Sequence, residues 1–189
     1  KTQTEAILQS AFEYRMVSDV PVGVFLSGGY DSTCVAALLQ KNRSEKLKTF
    51  TISVPDIGLN EAPYAKEIAK HLGTEHNEYE CSQKEALDLI TDLPYYYDEP
   101  FADSSAIPTT LVCLMAKKHV TVALSADAGD EVFAGYNRYD YIMRYGNKLN
   151  SLPSFIRKGA AGAMNLVSAN SIPVLKHKYN FANRYEKLK

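Results

Sequence analysis

Short apolar segments rich in β-formers alternate along this chain with segments whose apolar residues repeat at helical spacing. The strand-like segments are 22–26, 47–54, 75–80 and 120–124, and the helix-like ones are 5–17, 32–39, 60–72, 82–90 and 107–118. This alternation indicates a parallel sheet with right-handed crossovers and helices on both faces, which is an α/β fold. The third strand is the most polar of the four, and this predicts that it lies at the edge of the sheet.

Several helix ends carry local signals. Ser82 and Glu85 have the spacing of a capping box, and Gly73 is placed to close the helix that precedes it. Asn60 is predicted to cap the helix that follows it, and either Asp31 or Ser32 is predicted to cap the helix after the first strand.

Composition and charge narrow the class of protein. The chain has 189 residues, 46% of them hydrophobic, which suits a folded domain and excludes a disordered chain. The formal net charge of −1 argues against partners such as nucleic acid or an anionic membrane. Residues 1–150 carry 14 basic and 21 acidic side chains, whereas 151–189 carry 7 basic and 1 acidic. We therefore expect a first domain at 1–150 and the beginning of an incomplete helical part at 151–189, with helices near 156–167 and 179–188.

The cysteines and the apolar segments indicate the cellular compartment that suits this protein. Cys34, Cys81 and Cys113 form no C-x-x-C pair, so neither a disulfide framework nor a zinc site is expected, and a reducing, cytoplasmic setting fits best. We interpret these cysteines as core thiols. No apolar run reaches the roughly 18 residues of a membrane span. The start has neither Met nor an apolar signal core, as expected for the interior of a longer protein.

The first strand ends in a loop of unusual composition, Ser27–Ser32 (SGGYDS). Gly28 and Gly29 allow backbone N–H groups to turn toward one point, to which the helix N-terminus adds its dipole. This predicts an anion cradle of the size of pyrophosphate, distinct from a Walker A loop because no Lys follows the glycines. Asp31 beside a phosphate implies a divalent cation, usually Mg²⁺. The alternative is a strand-to-helix turn with a polar cap.

A second such loop follows the strand 120–124. It begins at Ser125 and carries three acids, Asp127, Asp130 and Glu131, at the start of a helix. Simple capping and matching of the helix dipole would explain these acids equally well. Because ligands bind beyond the carboxyl ends of parallel strands, where the strand order reverses, both loops are expected at one site.

These loops resemble those of the synthetase domain of the glutamine-hydrolysing asparagine synthetases. The SGGxDS core matches the pyrophosphate loop of that superfamily. The similarity covers roughly residues 5–145, and the other segments that carry it are 20–26, 60–64, 71–76, 98–103 and 124–139. The resemblance implies the PP-loop ATP pyrophosphatase fold, which is similar to that of the adenine nucleotide alpha hydrolases.

The resemblance also implies a reaction. A carboxylate, with aspartate expected, attacks the α-phosphorus of MgATP to give an acyl-adenylate and pyrophosphate, and ammonia from glutamine then displaces AMP. Asp31 and Asp130 would engage Mg²⁺, and Asp31 and Asp127 would serve the chemistry, with Asp127 toward the acyl substrate and the amine. The nucleotide would be held by Leu26, Ser27, Gly28, Gly29, Asp31, Ser32, Ile52, Ser125 and Ala126.

The chain departs from the family pattern in two respects. Ala126, Ala128 and Ala134 stand where the family commonly has glycine, and a methyl group at residue 126 could crowd the nucleotide. The family's later Lys motif and its N-terminal glutaminase domain are not recognisable here. Two alternatives therefore stay open: an adenylating relative with another acceptor, such as a sugar amidotransferase or a β-lactam-forming enzyme, and a truncated, non-catalytic nucleotide-binding module. A homodimer is compatible with either.

Overall fold

The computed structural model describes residues 2–53, 60–99, 101, 103 and 105–166, apart from the side chains of Asn147 and Leu166. Its elements in chain order are α1 (Thr2–Arg15), β1 (Val22–Phe25), α2 (Tyr30–Gln40), β2 (Lys48–Ser53), α3 (Ala62–Leu72), β3 (Glu75–Glu80), α4 (Gln83–Leu89), α5 (Leu93–Tyr97), α6 (Ala106–Ala116), β4 (Val122–Leu124), α7 (Gly129–Phe133), α8 (Asn137–Asn150) and α9 (Ser154–Leu166). A 3₁₀ turn, Ile90–Asp92, joins α4 to α5.

The four strands form one sheet in the order β3-β2-β1-β4, and every neighbouring pair is parallel. The predicted α/β class is therefore confirmed, as is the position of the polar strand β3 at an edge. The chain adds β2 and β3 on one side of β1 and then places β4 on the other side. The strand order therefore reverses between β1 and β4.

Two apolar clusters cover the two faces of the sheet. Val24 and Leu26 pack with residues of α2 and α3, whereas Phe50 packs with residues of α6. Because side chains alternate along a strand, Phe25 lies beside the second cluster although its neighbours lie in the first. Helices therefore cover both faces of the sheet, as the alternation of strands and helices in the sequence predicted.

The prediction for the last strand is partly wrong. A buried strand was expected at 120–124, but β4 has only three residues, Val122–Leu124, and the Val122 side chain is 39% exposed. In the described part of the chain β4 pairs with β1 alone. This strand therefore lies at an edge of the sheet, although its apolar composition predicted a buried strand. Leu124 still packs against the first cluster.

The chain divides into two compact units, residues 1–130 and 131–189. The first contains the whole sheet, and the described part of the second contains α8 and α9. The predicted boundary at residue 150 stays a prediction. The helix expected near 156–167 is observed as Ser154–Leu166, and the one expected near 179–188 lies outside the described residues. No helix among the described residues is long and apolar enough to cross a membrane.

Candidate functional site

The loops after β1 and β4 leave the same edge of the sheet. β1 and β4 are adjacent and parallel, with Val24 paired to Leu124, so their carboxyl ends lie side by side. This is the point where the strand order reverses, which is the usual ligand position in open α/β sheets. The topology therefore brings together the two loops that the sequence singles out.

The first loop is braced by its own serines. Ser27 Oγ lies 2.9 Å from Ser32 Oγ, which also accepts a hydrogen bond from the Ser27 N–H at 3.2 Å. The Gly29 N–H donates to Ser27 Oγ at 3.3 Å. Ser32 is buried, so these bonds attach the loop to the start of α2.

The predicted cap of α2 is wrong. The residue at the N-cap position is Gly29, and no side chain there accepts a hydrogen bond from the helix N–H groups. Asp31 and Ser32 instead lie inside the first turn, because α2 already begins at Tyr30. The N-terminus of α2 therefore keeps backbone donors and the positive end of its dipole available beside the loop.

Gly28 is required by both its conformation and its surroundings. Its φ of +91° is in the left-handed region, and a Cβ at residue 28 would lie 3.0 Å from Cβ of Tyr64 and 3.1 Å from the backbone N of Ala65. The first turn of α3 therefore packs directly on the loop. Sequence reasoning explained the glycine pair by backbone N–H groups and missed this contact, for which segment 60–64 was the available signal.

The second loop adopts the backbone that glycines normally provide. Ala128 and Ala134 have positive φ values of 73° and 56°, at two positions where the family commonly has glycine. Such a conformation costs an L-residue about 1–2 kcal/mol. Ala126 is not among the positive-φ residues of the described chain, and its side chain packs against the first core cluster. Its methyl group is therefore directed to the core.

The two loops touch at Asp31 and Gly129. A Cβ built on Gly129 would lie 2.5 Å from both Cγ and Oδ2 of Asp31 and 2.9 Å from Oδ1. The Asp31 carboxylate thus lies against the backbone of the second loop, one residue before Asp130. Sequence reasoning selected both aspartates but not Gly129, because no local pattern connects residues so far apart.

The remaining predicted site residues lie around this contact. Leu26 directly follows β1, the whole residue is 1% exposed, and its N–H donates to the Phe50 carbonyl oxygen at 2.9 Å. Ile52 is half-buried near the end of β2 and packs beside the second cluster. Ser125 and Asp127 are exposed, directly after β4.

The acids of the second loop have different surroundings. Glu131 Oε1 accepts a hydrogen bond from the Tyr136 hydroxyl at 2.6 Å, and this bond lowers the pKa of Glu131. Asp130 is half-buried. Among the described residues no group of three or more His, Cys, Asp or Glu side chains is placed to hold a metal. Two aspartates suit Mg²⁺, because protein sites usually give it one or two carboxylates and leave the rest to phosphates and water.

The cysteines correct one prediction. All three are free, but only Cys81 is a buried core thiol, whereas Cys34 and Cys113 are exposed. Cys34 lies on α2 and Cys113 on α6, and neither is among the buried residues of its helix. Partial burial raises the pKa of each of these thiols, which makes them poor nucleophiles.

The family model and several curated relatives that match this chain carry the description asparagine synthase or asparagine synthetase. A family model described as asparagine synthase matches residues 3–188. The chain is 42% identical over 139 residues to the glutamine-hydrolysing asparagine synthetase 1 of Bacillus subtilis, covering 74% of this chain and 22% of that protein. Asparagine synthetase B of Escherichia coli is 33% identical over 153 residues, covering 72% of this chain and 27% of the relative.

One further relative covers nearly the whole chain, and a solved structure also matches. A Methanocaldococcus jannaschii protein is 39% identical over 182 residues, which is 95% of this chain and 33% of that protein. The chain thus spans a third or less of the length of these curated relatives. Among solved structures, an NH₃-dependent NAD synthetase from Campylobacter jejuni matches with a TM-score of 0.44 and 11% identity, covering 98% of this chain and 92% of the other.

Proposed function

Since the chain belongs to the asparagine synthase family, whose model matches residues 3–188, we propose that it is the ATP-dependent synthetase part of a glutamine-hydrolysing asparagine synthetase. The observation that carries this proposal is the meeting of the two loops at the strand-order reversal, with Asp31 against Gly129. It supports one site in which an anion cradle and two aspartates act on the same ligand.

The first loop is the binding site for the pyrophosphate of ATP. The N-terminus of α2 supplies backbone donors that no side chain of the N-cap occupies, and Gly28 lets the chain turn in front of them. The Gly29 N–H is already bonded to Ser27 Oγ and instead holds the loop in shape. Ser27 and Ser32 hold each other at 2.9 Å, so the loop is shaped before the ligand arrives. A pre-shaped site spends less binding free energy on ordering the loop.

Asp31 and Asp130 are the residues that would hold Mg²⁺. The ion supplies positive charge that offsets the repulsion between these carboxylates and the phosphates. The observation that supports these residues as ligands of Mg²⁺ is the space at Gly129. There the Asp31 carboxylate occupies the volume that a side chain of residue 129 would fill.

The adenosine lies between the carboxyl ends of β1 and β2. Leu26 and Ile52 flank it there, and Ser125 with Ala126 contacts the nucleotide from the end of β4. This assignment is supported by the position of these residues directly at strand ends. The family resemblance assigns Asp127 to the acyl substrate and the incoming amine, and its exposed position in the second loop supports this assignment.

The reaction has two steps. A carboxylate oxygen of aspartate forms a bond to the α-phosphorus of ATP while the α–β phosphoanhydride bond breaks, which gives the acyl-adenylate and pyrophosphate. Ammonia then forms a bond to the acyl carbon, the carbon–oxygen bond to AMP breaks, and the amine loses a proton. The residues described here contribute alignment of the reactants and stabilisation of negative charge.

The activity is tested by isotope exchange of labelled pyrophosphate into ATP, with aspartate and other carboxylic acids supplied in turn. Aspartate-dependent exchange supports asparagine synthesis. Exchange with only another acid would indicate the alternative acceptor class, and ATP binding without any exchange would indicate a non-catalytic module. The glutamine source of the ammonia, the homodimer and the cytoplasmic setting stay predictions from the sequence.

The site is tested by Asp31→Asn. We expect Mg²⁺-dependent ATP binding to fall by more than about tenfold, since losing even an indirect metal contact has an effect of that size. Asp88→Asn is the matched control, because it removes only an exposed ion pair with Lys84 on α4. Calorimetric titration with MgATP measures both variants, and equal binding by Asp31→Asn and the wild type would refute the assignment.

A further inference from the structure

The contact between Asp31 and Gly129 is a close approach of a side chain to a backbone. A methyl group at residue 129 would lie 2.5 Å from both Cγ and Oδ2 of Asp31, well inside van der Waals contact. Residue 129 must therefore lack a side chain if the carboxylate is to stay where it is. Both residues belong to the unit 1–130.

The backbone at residue 129 does not itself call for glycine. Gly129 is not among the positive-φ glycines, which in the described chain are Gly28 and Gly73. Gly129 is also the first residue of α7, and glycine is a poorer helix former than alanine. Glycine here thus has no conformational advantage, and the approach of Asp31 is the one reason for it that the structure provides.

Nothing else in the described part of the chain fixes the carboxylate. Within the described residues, Asp31 makes neither a side-chain hydrogen bond nor an ion pair. Its Cα is held by α2, which is anchored through buried Ser32 and Val35. The shape of the second loop at Gly129 therefore determines where the end of this short side chain lies.

We infer that Gly129 is a positioning residue for Asp31: its missing side chain lets the carboxylate lie against the second loop, next to Asp130, where both aspartates serve one cation. This inference rests on the proposed function, which gives Asp31 its role. A side chain at residue 129 displaces the carboxylate by rotation of Asp31, since the end of a flexible side chain moves more easily than the backbone.

The test is Gly129→Ala in the full 189-residue chain. ATP affinity is measured by calorimetry with Mg²⁺ and again with EDTA, and thermal melting is measured alongside. We expect MgATP affinity to fall about tenfold, within the range for groups that orient a metal ligand, while ATP affinity in EDTA is unchanged. The melting temperature stays equal or rises, because alanine favours the helix.

Gly159→Ala is the matched control. Gly159 also lies in a helix, α9, and a Cβ there meets no atom within 4 Å. It tests for a general effect of replacing a helical glycine, and we expect its MgATP affinity to equal that of the wild type. A loss of affinity in this control equal to that of Gly129→Ala would overturn the inference.

The Asp31→Asn background separates positioning from a structural role. If Gly129 acts through Asp31, adding Gly129→Ala to Asp31→Asn causes no further loss of the Mg²⁺-dependent affinity. An equal loss in both backgrounds, unchanged MgATP binding by Gly129→Ala, or unfolding of that variant would each overturn the inference alone. A wild-type chain that does not bind MgATP would instead overturn the proposed function, and the inference with it.

Discussion

The helices α2 and α4 begin in opposite ways. At α4, Ser82 Oγ accepts a hydrogen bond from the Glu85 N–H at 3.2 Å, and Glu85 Oε2 accepts one from the Ser82 N–H at 2.9 Å. This capping box satisfies two backbone donors that a helix start leaves free. At α2 the N-cap is Gly29, which has no side chain to accept any of them.

The difference separates a structural helix start from one suited to a ligand. A capped N-terminus has its donors occupied by its own side chains and gains stability from them. An uncapped N-terminus lacks that stabilisation, but its backbone N–H groups and the positive end of the helix dipole stay available to bind an anion. The start of α2 lies at the strand-order reversal, whereas the start of α4 follows the edge strand β3.

The largest effect is expected from breaking the loop before α2 with Gly28→Ala. The residue has φ of +91° and its Cβ would lie 3.0 Å from Cβ of Tyr64. We expect a loss of about 2–3 kcal/mol in the free energy of unfolding, together with loss of ATP binding. Urea denaturation measures the first.

Gly29→Ala is its control. Gly29 has φ of −71°, and its nearest atom, Ser27 Oγ, would be 3.4 Å from a new Cβ. We expect its unfolding free energy to change by less than about 1 kcal/mol. Equal destabilisation by the two substitutions would show that the left-handed conformation of Gly28 is not what the loop depends on.

A smaller effect is expected from Ser82→Ala, which removes the cap of α4. The loss of the bond from the Glu85 N–H should lower the free energy of unfolding by about 1 kcal/mol and leave ATP binding unchanged. Urea denaturation and calorimetry measure the two quantities. Ser44→Ala, at an exposed loop position, is the control, and weakened ATP binding in Ser82→Ala would contradict the division between the two helix starts.

The capped start also has a predicted pH dependence. The hydrogen bond from the Tyr79 hydroxyl, followed by those from Ser82, lowers the pKa of Glu85 from 4.5 to about 2. The folded chain therefore binds this proton less readily than the unfolded one. The stabilisation is present above pH 4.5 and is lost as the pH falls toward 2.

This dependence is measured by comparing melting temperatures of the wild type and Glu85→Gln between pH 6 and pH 3. We expect the difference between the two proteins to shrink as the pH falls. A difference that is constant over this range would contradict the low pKa of Glu85.

The smallest effect on stability is expected from giving α2 a cap with Gly29→Ser. The backbone at residue 29, with φ −71° and ψ 164°, already suits an N-cap, so serine should add a few tenths of a kcal/mol. Its hydroxyl then competes with phosphate for the helix donors, and we expect several-fold weaker ATP binding. Unchanged ATP affinity in a stabilised variant would mean that these donors do not serve the ligand.

The sequence was sufficient at several places where the interacting residues are close along the chain. The capping box at Ser82 and Glu85 and the left-handed Gly73 at the end of α3 were predictable, because each depends on residues within a few positions. The predicted cap of α3 was only partly right: the Asn60 side chain accepts a hydrogen bond from the Ala62 N–H, but the N-cap residue is Glu61. The alternation of strands and helices likewise predicted the parallel sheet with its polar edge strand β3.

The sequence was insufficient where a residue's exposure, its backbone conformation or its contacts depend on the packing of the folded chain. Cys34 and Cys113 have apolar neighbours in sequence, yet the packing of α2 and α6 leaves them at the surface. The cap of α2 was misassigned because Asp31 and Ser32 are both good capping residues, and only the backbone shows that the helix begins before them. The positive φ of Ala128 is likewise invisible in a residue that usually favours helices.

The sequence by itself therefore determined the fold class, the family and the two loops, since periodicity and short motifs are local properties of a chain. Only the tertiary structure decided that Asp31 lies against Gly129, because that contact requires β4 to pair beside β1 rather than beside β3. Strand order is set by the burial of both faces of the whole sheet, which no single segment specifies.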